Sequence, residues 1–123
     1  MNFLIFIGKL LFNTFPFLLV FYFLFPVISV VGDSMYPTYK DGKLLFSIRV
    51  LFKSQMRIND VYAYKSPEGR IVIKRLIKIK NEKYFFEGDN REVSHDSRAY
   101  GYISFKNIKA HIFNSEKEVI NNE

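Results

Sequence analysis

The sequence predicts a mostly β protein, with a single N-terminal transmembrane helix followed by a compact antiparallel β domain. Between residues 1 and 31 the only charged side chain is Lys9, whereas charges are frequent from Gly32 onward. After residue 31, short apolar runs alternate with turn residues and no long helical period recurs. The expected division is a membrane anchor helix at 1–31, a β domain at 32–113 and a polar tail at 114–123.

The apolar N-terminal run is long enough to cross a membrane. Residues 10–31 carry no charge, and about 20 such residues span a bilayer core of about 30 Å. A cleaved signal peptide is the alternative, but its apolar stretch is usually only about 7–15 residues long, and no small-x-small cleavage site follows this run. Pro16 and Pro26 are expected to kink the helix or to mark its ends. A retained signal anchor is therefore favoured.

Turn residues divide the rest of the chain into predicted strands. In chain order the expected strands are 43–50, 61–64, 70–80, 83–87, 100–105 and 108–113. Residues 66–69 and Asn81-Glu82 supply the turns on either side of the third strand. Side chains of that strand alternate, which places two sets on opposite faces: one contains Ile71, Ile73, Ile77 and Ile79 with Arg75, and the other contains Val72, Lys74 and Leu76.

Composition excludes several classes of function. The chain has no cysteine, so neither a disulfide framework nor thiolate chemistry is expected. His95 and His111 are its only histidines, so no metal site and no cofactor is expected. The net charge of +6 indicates a lysine-rich surface or attraction to anionic lipid headgroups. Because the lysines form no tight block, no nucleic-acid partner is expected.

Ser34 and Lys74 are the residue types of a nucleophile and its base. Ser34 follows the apolar run closely, and Lys74 lies between apolar neighbours on one strand face. Burial can lower the pKa of a lysine by several units from about 10.4, and a neutral amine can take the proton of a serine hydroxyl. Taken singly, each residue has a simpler explanation: a turn serine, and a lysine whose amine snorkels from a strand edge.

A third segment, residues 88–101, is dense in Gly, Asn, Asp and Ser and is expected to be a loop. Its hydroxyls and the Asp96/Arg98 pair are candidates for a polar network that supports the lysine. An ordinary turn rich in Asx and Ser residues is the alternative.

These three segments resemble the boxes of the type I signal peptidases, which are membrane-bound serine endopeptidases with a Ser/Lys pair. The matching motifs are Gly-Asp-Ser-Met-Tyr-Pro-Thr, Ile-Lys-Arg-Leu-Ile and Gly-Asp-Asn followed by Ser-x-Asp-Ser-Arg-x-Tyr-Gly. The resemblance covers the chain from the anchor to about Ile103, and it implies a β catalytic domain of the fold shared by signal peptidases and self-cleaving repressors.

The resemblance also implies a role for each site residue. Ser34 would be the nucleophile, Lys74 the general base, and Ser94 the partner that orients the lysine amine. The remaining implied roles are bracing of the site by Asp96 and Arg98, an oxyanion hole at the backbone of Gly32 and Ser34, and substrate contact by Met35 and Pro37.

The implied activity is removal of signal peptides from exported preproteins that carry small residues at the first and third positions before the cut. The implied partners are these substrates and the lipid bilayer. The implied location is the bacterial cytoplasmic membrane, with the catalytic domain on the extracytoplasmic face. The count of Lys and Arg instead favours a catalytic domain on the cytoplasmic side, because Lys9 and the amino terminus are the only basic groups before the uncharged run 10–31.

Two departures from the family pattern concern the site and the size. Gly32 stands where many bacterial members carry a hydroxyl that donates to the oxyanion. Only residues 75–87 separate the lysine from the Gly-Asp-Asn segment, where larger relatives insert a second β domain. Two other functions remain open: a related peptidase that matures pilin in conjugative transfer, and an inactive membrane-tethered module that binds peptides. A self-cleaving repressor would need a DNA-binding domain.

Overall fold

The computed structural model describes residues 2–113 and consists of one long helix followed by a seven-stranded sheet. Helix α1 spans Phe3–Leu24 and a short helix, α2, spans Ser97–Tyr100. The strands are β1 Val27–Ser29, β2 Leu44–Arg49, β3 Val61–Lys65, β4 Ile71–Lys80, β5 Lys83–Glu87, β6 Ile103–Ser104 and β7 Ile108–Ile112. The mostly antiparallel β fold predicted from the sequence is confirmed. The polar tail predicted at 114–123 lies outside the described residues.

Helix α1 has the length and composition of a membrane span. It contains 22 residues with a mean hydropathy of 2.0, and none of its side chains is buried against the β domain. At about 1.5 Å per residue it is about 33 Å long, close to the thickness of a bilayer core. By length and composition this helix could cross a membrane, a test that a signal sequence near the N-terminus can also pass.

The predicted extent of the anchor helix is wrong at its C-terminal end. The helix ends at Leu24, and Val27–Ser29 form strand β1, which pairs with β2. Pro26 disfavours helical geometry in the residue before it, and the β-branched residues that follow it favour a strand. Arg49 fixes this junction, because its Nε donates to the carbonyl of Phe23 at 2.9 Å.

The sheet is antiparallel throughout, in the order β1-β2-β7-β3-β4-β5-β6. The predicted turn between β4 and β5 is confirmed: Asn81 and Glu82 both have positive φ, 50° and 59°, as in a two-residue type I′ hairpin. β5 pairs only with 75–80 of β4, so within the described residues the edge formed by 71–74 is paired on one side alone, by β3.

The segment that leads into β6 differs from the sequence prediction. Instead of a strand over 100–105, the chain forms α2, the two-residue strand Ile103–Ser104 and one 3₁₀ turn at Phe105–Asn107. Asp96 starts α2, because its side chain accepts the N–H of Arg98 at 3.1 Å. A carboxylate at this position satisfies a helix N–H that has no partner inside the helix.

The alternation predicted for β4 holds only for its first half. Ile73 packs with one apolar cluster, whereas Val72 and Leu76 pack with the other on the opposite face. A bulge between Leu76 and Lys78 then shifts the register. Ile79, predicted on the face of Ile73, is 41% exposed. A bulge opposes two residues to one and therefore breaks the period of two.

Two apolar clusters hold the sheet together, one on each face. The first lies under the loop that follows β1 and consists of Val30, Met35, Tyr39, Leu45, Val61, Ala63, Ile73, Ala110 and Ile112. The second consists of Val50, Met56, Tyr62, Tyr64, Leu76, Tyr84, Phe86, Ile103 and Ile108. Because β3 and β4 contribute side chains to both, the middle of the sheet is the most enclosed part of the domain.

Replacement of Phe86 by alanine should destabilise the domain strongly. Phe86 is fully buried, and its ring stacks on Tyr64 at 4.4 Å between centroids. Removal of such a ring from a core typically costs about 3–5 kcal/mol. Its neighbour Phe85 is half-buried beside Tyr102, so Phe85→Ala should cost only about 1 kcal/mol. Denaturant unfolding of both variants of the full chain in detergent micelles tests this, and equal losses would contradict it.

Candidate active site

The structure brings Ser34 and Lys74 into direct contact. Ser34 lies in the loop between β1 and β2, and Lys74 lies near the middle of β4. The Nζ of Lys74 is 2.5 Å from the Oγ of Ser34, a short hydrogen bond between residues 40 positions apart in the chain. An amine and a hydroxyl at this distance can exchange a proton without any rearrangement.

The surroundings of Lys74 favour its neutral form. The residue is 5% exposed, and it pairs across the sheet with the fully buried Tyr62. Burial lowers the pKa of Lys74, because the ammonium loses its water shell, while the negative charge of Asp96 opposes this shift in part. No carboxylate within residues 2–113 forms a salt bridge with the amine. The amine is thereby prepared to accept a proton.

Arg75, the next residue on β4, forms a buried ion pair with Asp89. Two parallel hydrogen bonds of 2.7 Å join the guanidinium to both carboxylate oxygens. The two side chains are 5% and 0% exposed. A third guanidinium nitrogen donates to the carbonyl of Asn59 at 2.5 Å. The bidentate geometry fixes the Gly-Asp-Asn segment against β4.

The Gly-Asp-Asn segment in turn holds the loop that carries Ser34. The N–H of Asn90 donates to the Ser34 carbonyl at 2.9 Å, and its side-chain amide donates to the carbonyl of Asp33 at 3.1 Å. Thr38 donates to the Asp89 carboxylate at 2.6 Å. The N–H of Asp89 lies 3.4 Å from the sulfur of Met35. The position of the serine therefore depends on this segment.

Gly88 sits where no side chain fits. A Cβ at this position would lie 2.5 Å from the carbonyl oxygen of Ser34 and would overlap the side chain of Ser94. Because real Cβ contacts essentially never fall below 3.0 Å, only glycine lets the segment approach the backbone of the serine loop. Gly88 thus determines how closely the Gly-Asp-Asn segment can pack against the loop that carries Ser34.

Asp96 and Arg98 form a second polar cluster behind Ser94. The Arg98 guanidinium donates to both oxygens of Asp96, at 3.0 and 2.9 Å, and the N–H of Gly88 donates to the same carboxylate at 2.9 Å. Burial alone would raise the pKa of Asp96, but these hydrogen bonds hold it well below its usual range. Asp96, itself held by Arg98, therefore fixes the position of Gly88, which packs against the loop that carries Ser34.

Ser94 lies beside the site but does not bond the lysine. Its Oγ is buried and makes no hydrogen bond of standard geometry within residues 2–113. The hydroxyl is nevertheless close enough to Asp96 to help lower the pKa of that carboxyl. Its role in orienting Lys74 stays a prediction.

Of the two backbone N–H groups predicted to form the oxyanion hole, at Gly32 and Ser34, only one is without another hydrogen-bond partner within residues 2–113. The N–H of Gly32 donates to the Asp41 side chain at 2.9 Å and is therefore engaged. Within residues 2–113 the N–H of Ser34 makes no hydrogen bond. Gly32 has a φ of +84°, a backbone conformation that residues with a side chain rarely adopt. The Ser34 N–H is thus the available donor.

Two cavities meet at the Ser34–Lys74 pair. The larger, of about 360 Å³, lies between 28–31 and 70–74 and includes Met35 in its lining. The smaller, of about 250 Å³, extends towards 66–68, Val93 and His95. Pro37 lines neither of these two cavities, so its contact with substrate stays a prediction.

Four residues that organise the site could not be given a role from the sequence, namely Arg75, Gly88, Asp89 and Asn90. One signal was present: an arginine directly beside a lysine on an otherwise apolar strand needs a buried acid. Nothing in the sequence indicates which acid it is, because Asp89, Asp96 and Asp60 are all candidates by type.

A methyl group at Gly88 should push the Gly-Asp-Asn segment away from the loop that carries Ser34. In Gly88→Ala the new Cβ must push the Ser34 carbonyl away, so acylation of Ser34 by a serine-reactive penem should fall by about 100-fold or more. The control is Gly8→Ala, where a Cβ would meet nothing within 4 Å. Equal labelling rates of both variants would contradict the packing role of Gly88.

The rate of Ser34 acylation should rise with pH and level off below pH 10.5. Burial lowers the pKa of Lys74 from 10.5; below that lowered pKa the neutral fraction, and with it the rate, should fall about tenfold per pH unit. Lys74→Arg should show no acylation at any pH, because a guanidinium stays protonated. A rate independent of pH, or one still rising tenfold per unit at pH 10.5, would contradict the role of the neutral amine.

A comparison with protein families extends this picture. The model of the family described as signal peptidase, peptidase S26, matches residues 77–114. The matched stretch contains Asp89, Asp96 and Arg98, whereas Ser34 and Lys74 precede it. No curated protein matches the chain. The family match confirms, over residues 77–114, the resemblance of this chain to the type I signal peptidases, which are peptidases of the serine type.

Proposed function

We propose that the protein is a membrane-anchored serine endopeptidase that removes signal peptides from exported preproteins. The observation that carries this proposal is the 2.5 Å contact between the buried Lys74 amine and the Ser34 hydroxyl. A lysine whose pKa is lowered by burial, beside a serine hydroxyl, has the chemistry of a base and its nucleophile. The family match supports the peptidase class.

Acylation begins with the neutral lysine. The Lys74 amine takes the Ser34 hydroxyl proton as the oxygen attacks the scissile carbonyl, so a C–O bond forms and the carbonyl oxygen becomes an oxyanion. The Ser34 N–H is the donor for that oxyanion. As the C–N bond breaks, the lysine ammonium gives its proton to the leaving amine, and the signal peptide stays as an ester on Ser34.

Deacylation repeats the same proton transfers with water. The Lys74 amine, neutral again, removes a proton from a water molecule that attacks the ester carbonyl. The C–O bond to Ser34 breaks, and the serine oxygen recovers a proton from the lysine. The product is a free carboxylic acid on the signal peptide, which loses its proton to water, and the enzyme returns to its starting protonation state.

The larger cavity suits a peptide in extended conformation. It lies between β1, which pairs on one side with β2, and residues 71–74 of β4, which pair on one side with β3. A substrate strand between these edges would hydrogen-bond to both, and side chains would alternate into the cavity. Apolar lining by Ile28, Ile73 and Met35 suits small apolar residues before the cut.

Helix α1 and the surface beside its end support membrane attachment. Exposed apolar side chains cluster there on β1, on β2 and just after β7, namely Val27, Leu44, Phe46 and Phe113. Such a patch next to a membrane helix suits contact with lipid. By the resemblance, the catalytic domain faces the extracytoplasmic side; digestion of the domain by protease added to spheroplasts tests the side.

The decisive experiment is cleavage of a preprotein by the full chain in proteoliposomes. Ser34→Ala should abolish cleavage, and Lys74→Ala should lower the rate at least about 100-fold, since it removes the base. The matched control is Lys78→Ala, because Lys78 lies on the same strand but is exposed, with its amine over the ring of Phe85 at 4.4 Å from the ring centroid. It should cleave at nearly the normal rate.

Cleavage by Lys74→Ala at the normal rate would refute the mechanism. If the wild-type protein does not cleave the preprotein although the penem still acylates Ser34, the signal-peptide substrate is refuted instead.

A further inference from the structure

We propose that the smaller cavity binds the first residue of the mature protein, on the carboxyl side of the cut, and that its polar walls select which side chains are accepted there. This inference rests on the proposed function, since a mature side exists only if Ser34 attacks a preprotein. The mechanism proposed above gives the smaller cavity no role.

The two cavities flank the reacting pair. Their shared walls are Val31, Ser34, Arg70, Val72 and Lys74. A peptide bond held at Ser34 continues in both directions, and an extended chain advances about 3.3 Å per residue. The residue on each side of the cut must therefore occupy a space directly beside the pair, and one cavity lies in each direction.

The direction of the substrate follows from the position of the membrane helix. The larger cavity is lined by Ile28, Ser29 and Val30, which follow the end of α1 within a few residues. A signal peptide embedded in the bilayer reaches the site from that side. The smaller cavity extends to the turn between β3 and β4 and to the segment before α2. It therefore receives the chain that leaves the site.

The lining of the smaller cavity differs in chemistry from that of the larger. Asp33, Glu68 and His95 contribute polar side chains there, whereas the larger cavity contains no acidic residue. The new α-ammonium forms at the mature side, and carboxylates stabilise such a cation as it emerges. Glu68 and His95 also contact each other at 3.0 Å and so bound the cavity on one side.

The buried hydroxyl of Ser66 also indicates that the smaller cavity binds a ligand. The residue is 7% exposed, and its Oγ makes no hydrogen bond within residues 2–113. A buried hydroxyl without a partner is costly, and rotation about χ1 moves it between staggered positions. A polar substrate group in the cavity would satisfy it. The volume of about 250 Å³ is below the usual range of ligand pockets, about 300–1,000 Å³, as suits a subsite for one side chain.

Two exposed apolar residues allow a matched test. Val93 is 61% exposed and lines only the smaller of the two cavities, whereas Ile71 is 56% exposed and lines only the larger. Phenylalanine at either position adds bulk to one cavity without disturbing the core. Two ratios of kcat/KM are measured on preproteins with the full chain: alanine over phenylalanine at the first mature residue, and alanine over valine at the last signal-peptide residue.

Val93→Phe should raise the mature-side ratio about tenfold and leave the signal-side ratio within about twofold. Ile71→Phe should do the reverse. Val93→Ala enlarges the smaller cavity and should lower the mature-side ratio. A change of the signal-side ratio by Val93→Phe, or of neither ratio by any of the three variants, would overturn the inference while leaving the peptidase intact. A wild-type protein that cleaves no preprotein overturns the proposed function, and this inference with it.

Discussion

The buried pair between Arg75 and Asp89 is the interaction on which the rest of the site depends. It joins strand β4 to the Gly-Asp-Asn segment through two hydrogen bonds of 2.7 Å, out of contact with water. That segment then holds the backbone of Ser34 through Asn90. Removal of one partner from such a pair typically costs about 3–5 kcal/mol, because the other charge stays buried alone. The pair thus fixes the serine relative to the lysine.

The anchor places a different constraint on the same loop. Helix α1 ends at Leu24, and β1 begins three residues later, tied to β2 by pairing and by the Arg49 contact with Phe23. The serine follows β1 by only five residues. Because the helix end is fixed to the sheet, the hydroxyl has little freedom in its distance from α1. Under the proposed function, this short connection keeps the site close to a substrate that is itself embedded in the membrane.

The sequence predicted the parts of this molecule that local patterns specify. Charge depletion marked the anchor, turn residues marked the β4–β5 hairpin, and the apolar neighbours of Lys74 indicated its burial. It failed where tertiary contacts decide. The end of the helix depends on pairing of 27–29 with β2, and the helical turn at Ser97 depends on the cap from Asp96. The partner of Arg75 could not be chosen from the sequence, since several acids are equivalent until the chain is folded.

The pleat of β4 has a consequence for the charges that it carries. Lys74 and Arg75 are consecutive, and both are buried, yet one is prepared to be neutral and the other is held charged by Asp89. Successive side chains of a strand point to opposite faces, so the backbone itself separates the two environments. A slip of the strand by one residue would exchange them, placing a permanent cation beside Ser34 and a lysine against the buried acid. The bulge after Leu76 falls beyond both residues, so the irregularity of this strand leaves the separation intact.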